Sequence, residues 1–338
     1  MSTTRTLVAI AAACASFAGC DIPTEPPVLE QRWILPVDDA TMSVDELLPA
    51  AVTVLGDAWD VSVDPTSADE SLGVLCPDCA VLDGQVAPVP PFQGSFSNGQ
   101  SLPSDVVAAE VVGGSVDLTI TNGLSFDPLE GGGTLTIGIA DEDTGVLLGQ
   151  VELDGDTMTL APGSITPLTL ELSPGTVTGG LTVTADVDAP GGMLAPIDTN
   201  EQIVVEVAVT SLRVGSLTVN VQSRTVTLDE EALDLEDIDE DIASHIASGA
   251  VILDVDNPFG VSVDGWLGIG ITSKAFSITG NGASEIELSY TGDELRSFIG
   301  QPGVTLSGWG IADGTAITIA PGQVLTLEAT LDFTLEIG

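Results

Sequence analysis

The chain is 338 residues long, and 51 acidic residues against 6 Lys and Arg give it a formal net charge of -45. Such a field repels nucleic-acid phosphates and anionic headgroups, which argues against DNA and RNA as partners. At 43% hydrophobic residues the chain has material for a sizeable core, so its acidity is not that of a disordered segment. Three uses of the acidity stay open: a solubilising surface, adaptation to salty surroundings, and carboxylate ligands for divalent cations.

The chain opens with a small positive head at Arg5, an apolar run from Leu7 to Phe17, and Phe17-Ala18-Gly19-Cys20, a small-residue cleavage site ending in cysteine. That arrangement reads as an export signal. It resembles the bacterial lipoprotein signal, with Phe17 where the family carries Leu or another aliphatic residue. The resemblance implies that residues 1–19 are removed and that Cys20 is acylated, palmitate-type chains then holding the protein to a lipid bilayer. A conventionally cleaved signal peptide and an uncleaved anchor are the alternatives, although the run falls short of the roughly 20 apolar residues that span a bilayer. Asp21 resembles the inner-membrane retention signal of some enteric bacteria. That rule does not hold across all bacteria, and the outer membrane or cell surface is the favoured location.

Residues 20–32 hold Pro23, Pro26 and Pro27 and read as an extended tether. Residues 33–104 mix a helical turn after Ser43, short alternating stretches and a Pro-rich passage, and read as a small cap packed on the next module. Within this cap, Cys76 and Cys79 are the two cysteines left after Cys14 and Cys20 are accounted for, and in an exported protein they point to a disulfide. Zinc would need a second pair or two histidines, and a redox-active pair would need a helix that lowers the thiol pKa.

An internal repeat starts near Asp105. Ser115-Val-Asp-Leu-Thr-Ile-Thr-Asn122 lines up with Ala250-Val-Ile-Leu-Asp-Val-Asp-Asn257, each a period-two strand ending in asparagine. Ala161-Pro162-Gly163 and Ala320-Pro321-Gly322 extend the parallel. The expectation is an all-β chain of two tandem β-sandwich modules, residues 105–215 and 241–338. Residues 216–240 would supply one more strand and a short acidic linker helix, nine acids falling between Asp229 and Asp241. Val251 to Gly265 resembles the strand of LEA-2 or WHy sandwiches that ends in Asn-Pro, and Val116 to Gly131 keeps the Asn without the Pro. The resemblance implies a sandwich with a structural or stress-related binding role, and no catalytic residues come with it.

Catalytic partners are scarce. His245 is the single histidine, and Lys274 and Tyr290 stand alone of their types. Asp141, Asp143, Asp154 and Asp156 lie in acidic turns that could hold calcium, but neither turn has the loop closed by a Glu about twelve residues in. Otherwise no cofactor is indicated. The expectation is a non-enzymatic, membrane-anchored lipoprotein with a structural, adhesive or ligand-binding role towards protein, glycan or divalent cation. Two alternatives are a carrier of an apolar ligand and a carboxylate-based polysaccharide hydrolase. Trp266 and Trp309 are expected in the core, with a sugar platform as their other use.

Overall fold

The computed structural model describes residues 28–221, 224–233, 235, 238–313 and 316–337. The export segment, Cys20 and residues 21–27 lie outside them. The chain enters through β1 (Leu29–Ser43), a 3-10 turn (Val44–Leu47), β2 (Val52–Leu55), β3 (Ala58–Val61) and β4 (Thr66–Ser71). A helical turn (Leu72–Leu75), a 3-10 helix (Pro77–Leu82) and β5 (Val86–Pro88) lead to β6 (Phe92–Ser101), β7 (Val106–Asn122), β8 (Thr134–Asp141), β9 (Leu147–Asp154) and β10 (Ile165–Leu172). Then come β11 (Gly175–Thr178), β12 (Gly180–Ala189), β13 (Leu194–Pro196), β14 (Gln202–Val219) and β15 (Arg224–Leu233). After a helical turn (Glu240–Ala243) follow β16 (Ile246–Asn257), β17 (Ser262–Ile269), β18 (Thr272–Ile278) and β19 (Gly282–Thr291). A helix (Gly292–Arg296), β20 (Val304–Asp313), β21 (Ile317–Ile319) and β22 (Val324–Ile337) complete the described chain.

The protein is all-β. One sheet runs β10-β7-β14-β3-β2, with β4 and β21 also on β14 and β11 on β7, and it faces a sheet of order β6-β12-β8-β9. The other pair of sheets runs β1-β22-β16-β19 and β15-β20-β17-β18. Numbered within each module, both pairs reduce to one pattern. Strands one, eight, three and six form one sheet, and strands two, seven, four and five form the other. That is the double Greek key of a jelly roll. In the first roll these strands are β4, β6, β7, β8, β9, β10, β12 and β14, and in the second β1, β15, β16, β17, β18, β19, β20 and β22.

Period-two alternation closes both cores. Val116, Leu118 and Ile120 of β7 are buried in the first, and Val251, Leu253 and Val255 of β16 occupy the equivalent rungs of the second. The repeated asparagines end these strands identically. Asn122 Nδ2 donates to the Phe126 and Leu160 carbonyls while its Oδ1 accepts from Leu124 N–H; Asn257 does the same with Val261, Thr279 and Phe259. The rolls are joined where β21 pairs with Leu217–Val219 of β14, and Phe259, Val261 and Ala312 of the second roll sit in the first core.

The module edges differ from those read in the sequence. Residues 33–104 are not a separate cap: β4 and β6 are the first two strands of the first roll, and Trp59, Leu72 and Phe96 lie in its core. Residues 29–32, read as the end of a tether, belong to β1, which begins at Leu29 and is the first strand of the second roll, pairing with β22. The first roll is therefore inserted between the first and second strands of the second. Ser216–Val219 completes β14, the acidic run continues β15 to Leu233, and the linker helix shrinks to the single turn Glu240–Ala243. The two Pro-Gly turns are not equivalent either, one preceding a sixth strand and the other an eighth.

Candidate functional site

The second roll carries an aromatic face that the core expectation for Trp266 and Trp309 did not place. Both side chains are exposed, at 45% and 44%, whereas Trp59 is fully buried. On β17, Asp264 and Trp266 share the parity opposite to buried Leu267 and Ile269. Register sets the layout: Thr227, Trp309, Trp266 and Ala275 form one rung across β15, β20, β17 and β18, and Thr225, Ile311, Asp264 and Ser277 form the next rung on the same side. The two indoles are direct cross-strand neighbours.

Glycine makes this face possible. Between the two outward rungs lies the inward rung Gly310, Gly265 and Phe276. A Cβ on Gly265 would stand 2.7 Å from Phe276 Cζ and 2.3 Å from the Trp309 carbonyl oxygen, and one on Gly310 would stand 2.5 Å from Val263 Cγ1. The Phe276 ring thus fills the space under the strands that two side chains would otherwise take. Beside it lies a shallow, largely open hollow of about 700 Å³, lined by Asp264, Trp266, Phe276, Glu287, Trp309 and Ile311 among others.

The other candidates fall elsewhere. Cys76 and Cys79 form a disulfide, and both are buried in the first core, where the bridge joins a helical turn to a 3-10 helix. Asp141 and Asp143 sit at one end of the β8–β9 hairpin and Asp154 and Asp156 at the other, more than about 20 Å away along the strands. They cannot share an ion. Asp154 Oδ1 accepts from Asp156 N–H at 2.8 Å, an ordinary turn bond.

Asp141 is a buried staple. Burial pushes its carboxyl up, but hydrogen bonds from the Thr144 hydroxyl and from the Thr178 and Thr144 amides together hold it below the usual carboxylate range. With the folded value depressed, the stabilisation is present above the unfolded value and lost as pH falls through the folded one. Asp141→Asn is expected to cost about 2 kcal/mol at neutral pH, by setting an amide N–H against donors, and to flatten the acid limb of stability. Urea melts between pH 3 and 7 would show it; an unchanged acid limb would contradict the staple.

His245 is exposed, with Nδ1 2.6 Å from the Asp241 carbonyl. Lys274 pairs with Glu294 at 2.7 Å and lies 4.8 Å from the centre of the Tyr290 ring, whose hydroxyl is pushed up to about 12 by burial and by the Glu294 charge. On the outer face of the opposite sheet, Glu285, Asp254 and Glu328 stand side by side in one rung across β19, β16 and β22. Between the sheets of the first roll, the void lined by Val116, Ile139, Val183 and Val207 measures about 10 Å³, room for at most one water. That packing counts against an apolar carrier.

No protein-family model matches the chain, and no curated protein matches it. Among solved structures it is similar to a protein from Parabacteroides distasonis described as a candidate secreted protein, at 13% identity over 90% of this chain and 99% of that one, with a TM-score of 0.32. It is also similar to VP2 of the infectious bursal disease virus subviral particle, at 11% identity over 92% of this chain and 74% of that one, TM-score 0.21. A third is the STIV MCP, at 9% identity over 79% of this chain and 96% of that one, TM-score 0.18. Likenesses this distant carry no argument about function. Among the described residues no helix is long and apolar enough to cross a membrane.

Proposed function

We propose that the chain is a lipid-anchored protein of the bacterial cell envelope, held by acylated Cys20 at the outer membrane or cell surface, whose non-enzymatic role is to bind a saccharide on the Trp266–Trp309 face. The observation that carries the binding reading is the exposure of two tryptophans in direct register on a face kept open by Gly265 and Gly310. Indoles displayed in pairs offer large, rigid apolar planes with a polar N–H, which suits the alternating CH face and hydroxyl rim of a pyranose. The anchor reading rests on the export signal and its terminal cysteine.

Titration of the mature chain with cellohexaose, followed by tryptophan fluorescence and calorimetry, tests the site. Trp266→Ala and Trp309→Ala are each expected to weaken binding about 30-fold, the loss of a buried aromatic anchor. Binding unaffected by both substitutions would remove the face from consideration. Release of new reducing ends during the titration would overturn the non-enzymatic part. For the anchor, Cys20→Ala is expected to move the protein from the membrane fraction to the soluble fraction, with the diacyl mass lost.

A further inference from the structure

The chemistry around the tryptophans goes further than a general sugar platform. Asp264 of β17 and Glu287 of β19 are among the residues that line the hollow with the indoles, and among the described residues no Lys, Arg or His lines it. Asp264 lies one outward rung from Trp266, about 7 Å along the strand, and directly across from the Ser277 hydroxyl position. A pyranose stacked on Trp266 therefore directs a ring substituent towards Asp264. The nearest cation in sequence, Lys274, is engaged with Glu294 and the Tyr290 ring. An unbalanced pair of carboxylates beside two aromatic faces is complementary to a ligand that is both a flat ring and a cation. An ammonium gains from the indole π-faces and from the carboxylates, and a carboxylate- or sulfate-bearing sugar is repelled by the same groups.

We propose that the saccharide taken by this face carries free amino groups: an oligomer of 2-amino sugars in which the ammonium meets Asp264 and Glu287 while the ring stacks on Trp266 and Trp309. This rests on the tryptophan face being the binding site. The -45 charge of the chain draws any polycation towards it and must be separated from the site itself.

The mature chain is titrated at physiological ionic strength with glucosamine hexamer, N-acetylglucosamine hexamer and cellohexaose, and the quantity read is the ratio of their affinities. Glucosamine hexamer is expected to bind about tenfold more tightly than either neutral oligomer. In Asp264→Asn/Glu287→Gln that ratio is expected to fall to about one, whereas Asp254→Asn/Glu328→Gln, which removes two charges from the opposite sheet, is expected to keep it. Equal affinity for all three oligomers overturns the amino-sugar inference and leaves the saccharide face standing. A preference that persists without Asp264 and Glu287 assigns it to the overall charge and overturns the site. Failure of all three to bind overturns both readings.

Discussion

Asn257→Ala is expected to destabilise the protein by about 4 kcal/mol, more than any exposed substitution of comparable size. The side chain is 1% exposed, and its three hydrogen bonds close the turn after β16: Nδ2 to the Val261 carbonyl at 2.7 Å and the Thr279 carbonyl at 3.3 Å, and Oδ1 from Phe259 N–H at 3.0 Å. Alanine leaves two carbonyls and an amide in the interior without partners, at about 1–3 kcal/mol for each buried group, partly relieved if water enters the space. Asn257→Asp keeps the acceptor, loses both donors and aims a carboxylate at two carbonyls, and is expected to be at least as damaging. Asn122→Ala should cost a similar amount, since its partners are the same three in kind. The two differ in reach. Phe259 and Val261, held by Asn257, sit in the first core, so Asn257→Ala is expected to lower both thermal transitions and Asn122→Ala chiefly the first roll's. Calorimetry of the two variants separates these outcomes. A cost below about 1 kcal/mol for either would mean that the repeated asparagine is not the clasp of its roll.

That clasp was legible in the sequence because everything it needs is local: an alternating strand, a polar residue at its end, a turn within four residues. The all-β class and the two-module repeat were legible for the same reason. What the strand pattern could not reveal was pairing over distance. β1 meets β22 some 300 residues away, so nothing near Leu29 distinguishes an edge strand from a tether. The acidic run misled because its nine clustered acids suggested a linker helix, while the demand of β20 for a partner drew Asp229 to Leu233 into β15. For the exposed aromatic face a signal was present. Trp266 shares parity with Asp264 and opposes Leu267 and Ile269, which places it on the polar side of its strand. The glycines beside Trp266 and Trp309 removed the usual apolar neighbours that would have weighed for the core, yet the reason for them, the Phe276 ring beneath, is a contact between strands.

A chain that starts at residue 44 is expected to keep a folded but less stable first roll and lose the second. The first roll has all eight of its strands downstream of that point, and Val44 already belongs to its core. The second loses β1, which lies along β22 from Leu29 opposite Ile337 to Ser43 opposite Val324. With it go the Trp33 ring, 6.1 Å from that of Phe333, and the ion pair of Arg32 with Asp332. The pair itself is exposed and adds little. The larger effect is a long unpaired edge on β22 above an opened core, which favours self-association. Hydrogen exchange should therefore show protection retained in β7 and β14 and lost in β16, β20 and β22, and a synthetic peptide of residues 28–43 should restore it. Full protection of the second roll in the shortened chain would contradict the assignment of β1 as its first strand. The same pairing bears on the proposed anchor. Seven residues separate Cys20 from Val28, so a pull on the lipid end is delivered to β1 after a span of at most about 30 Å.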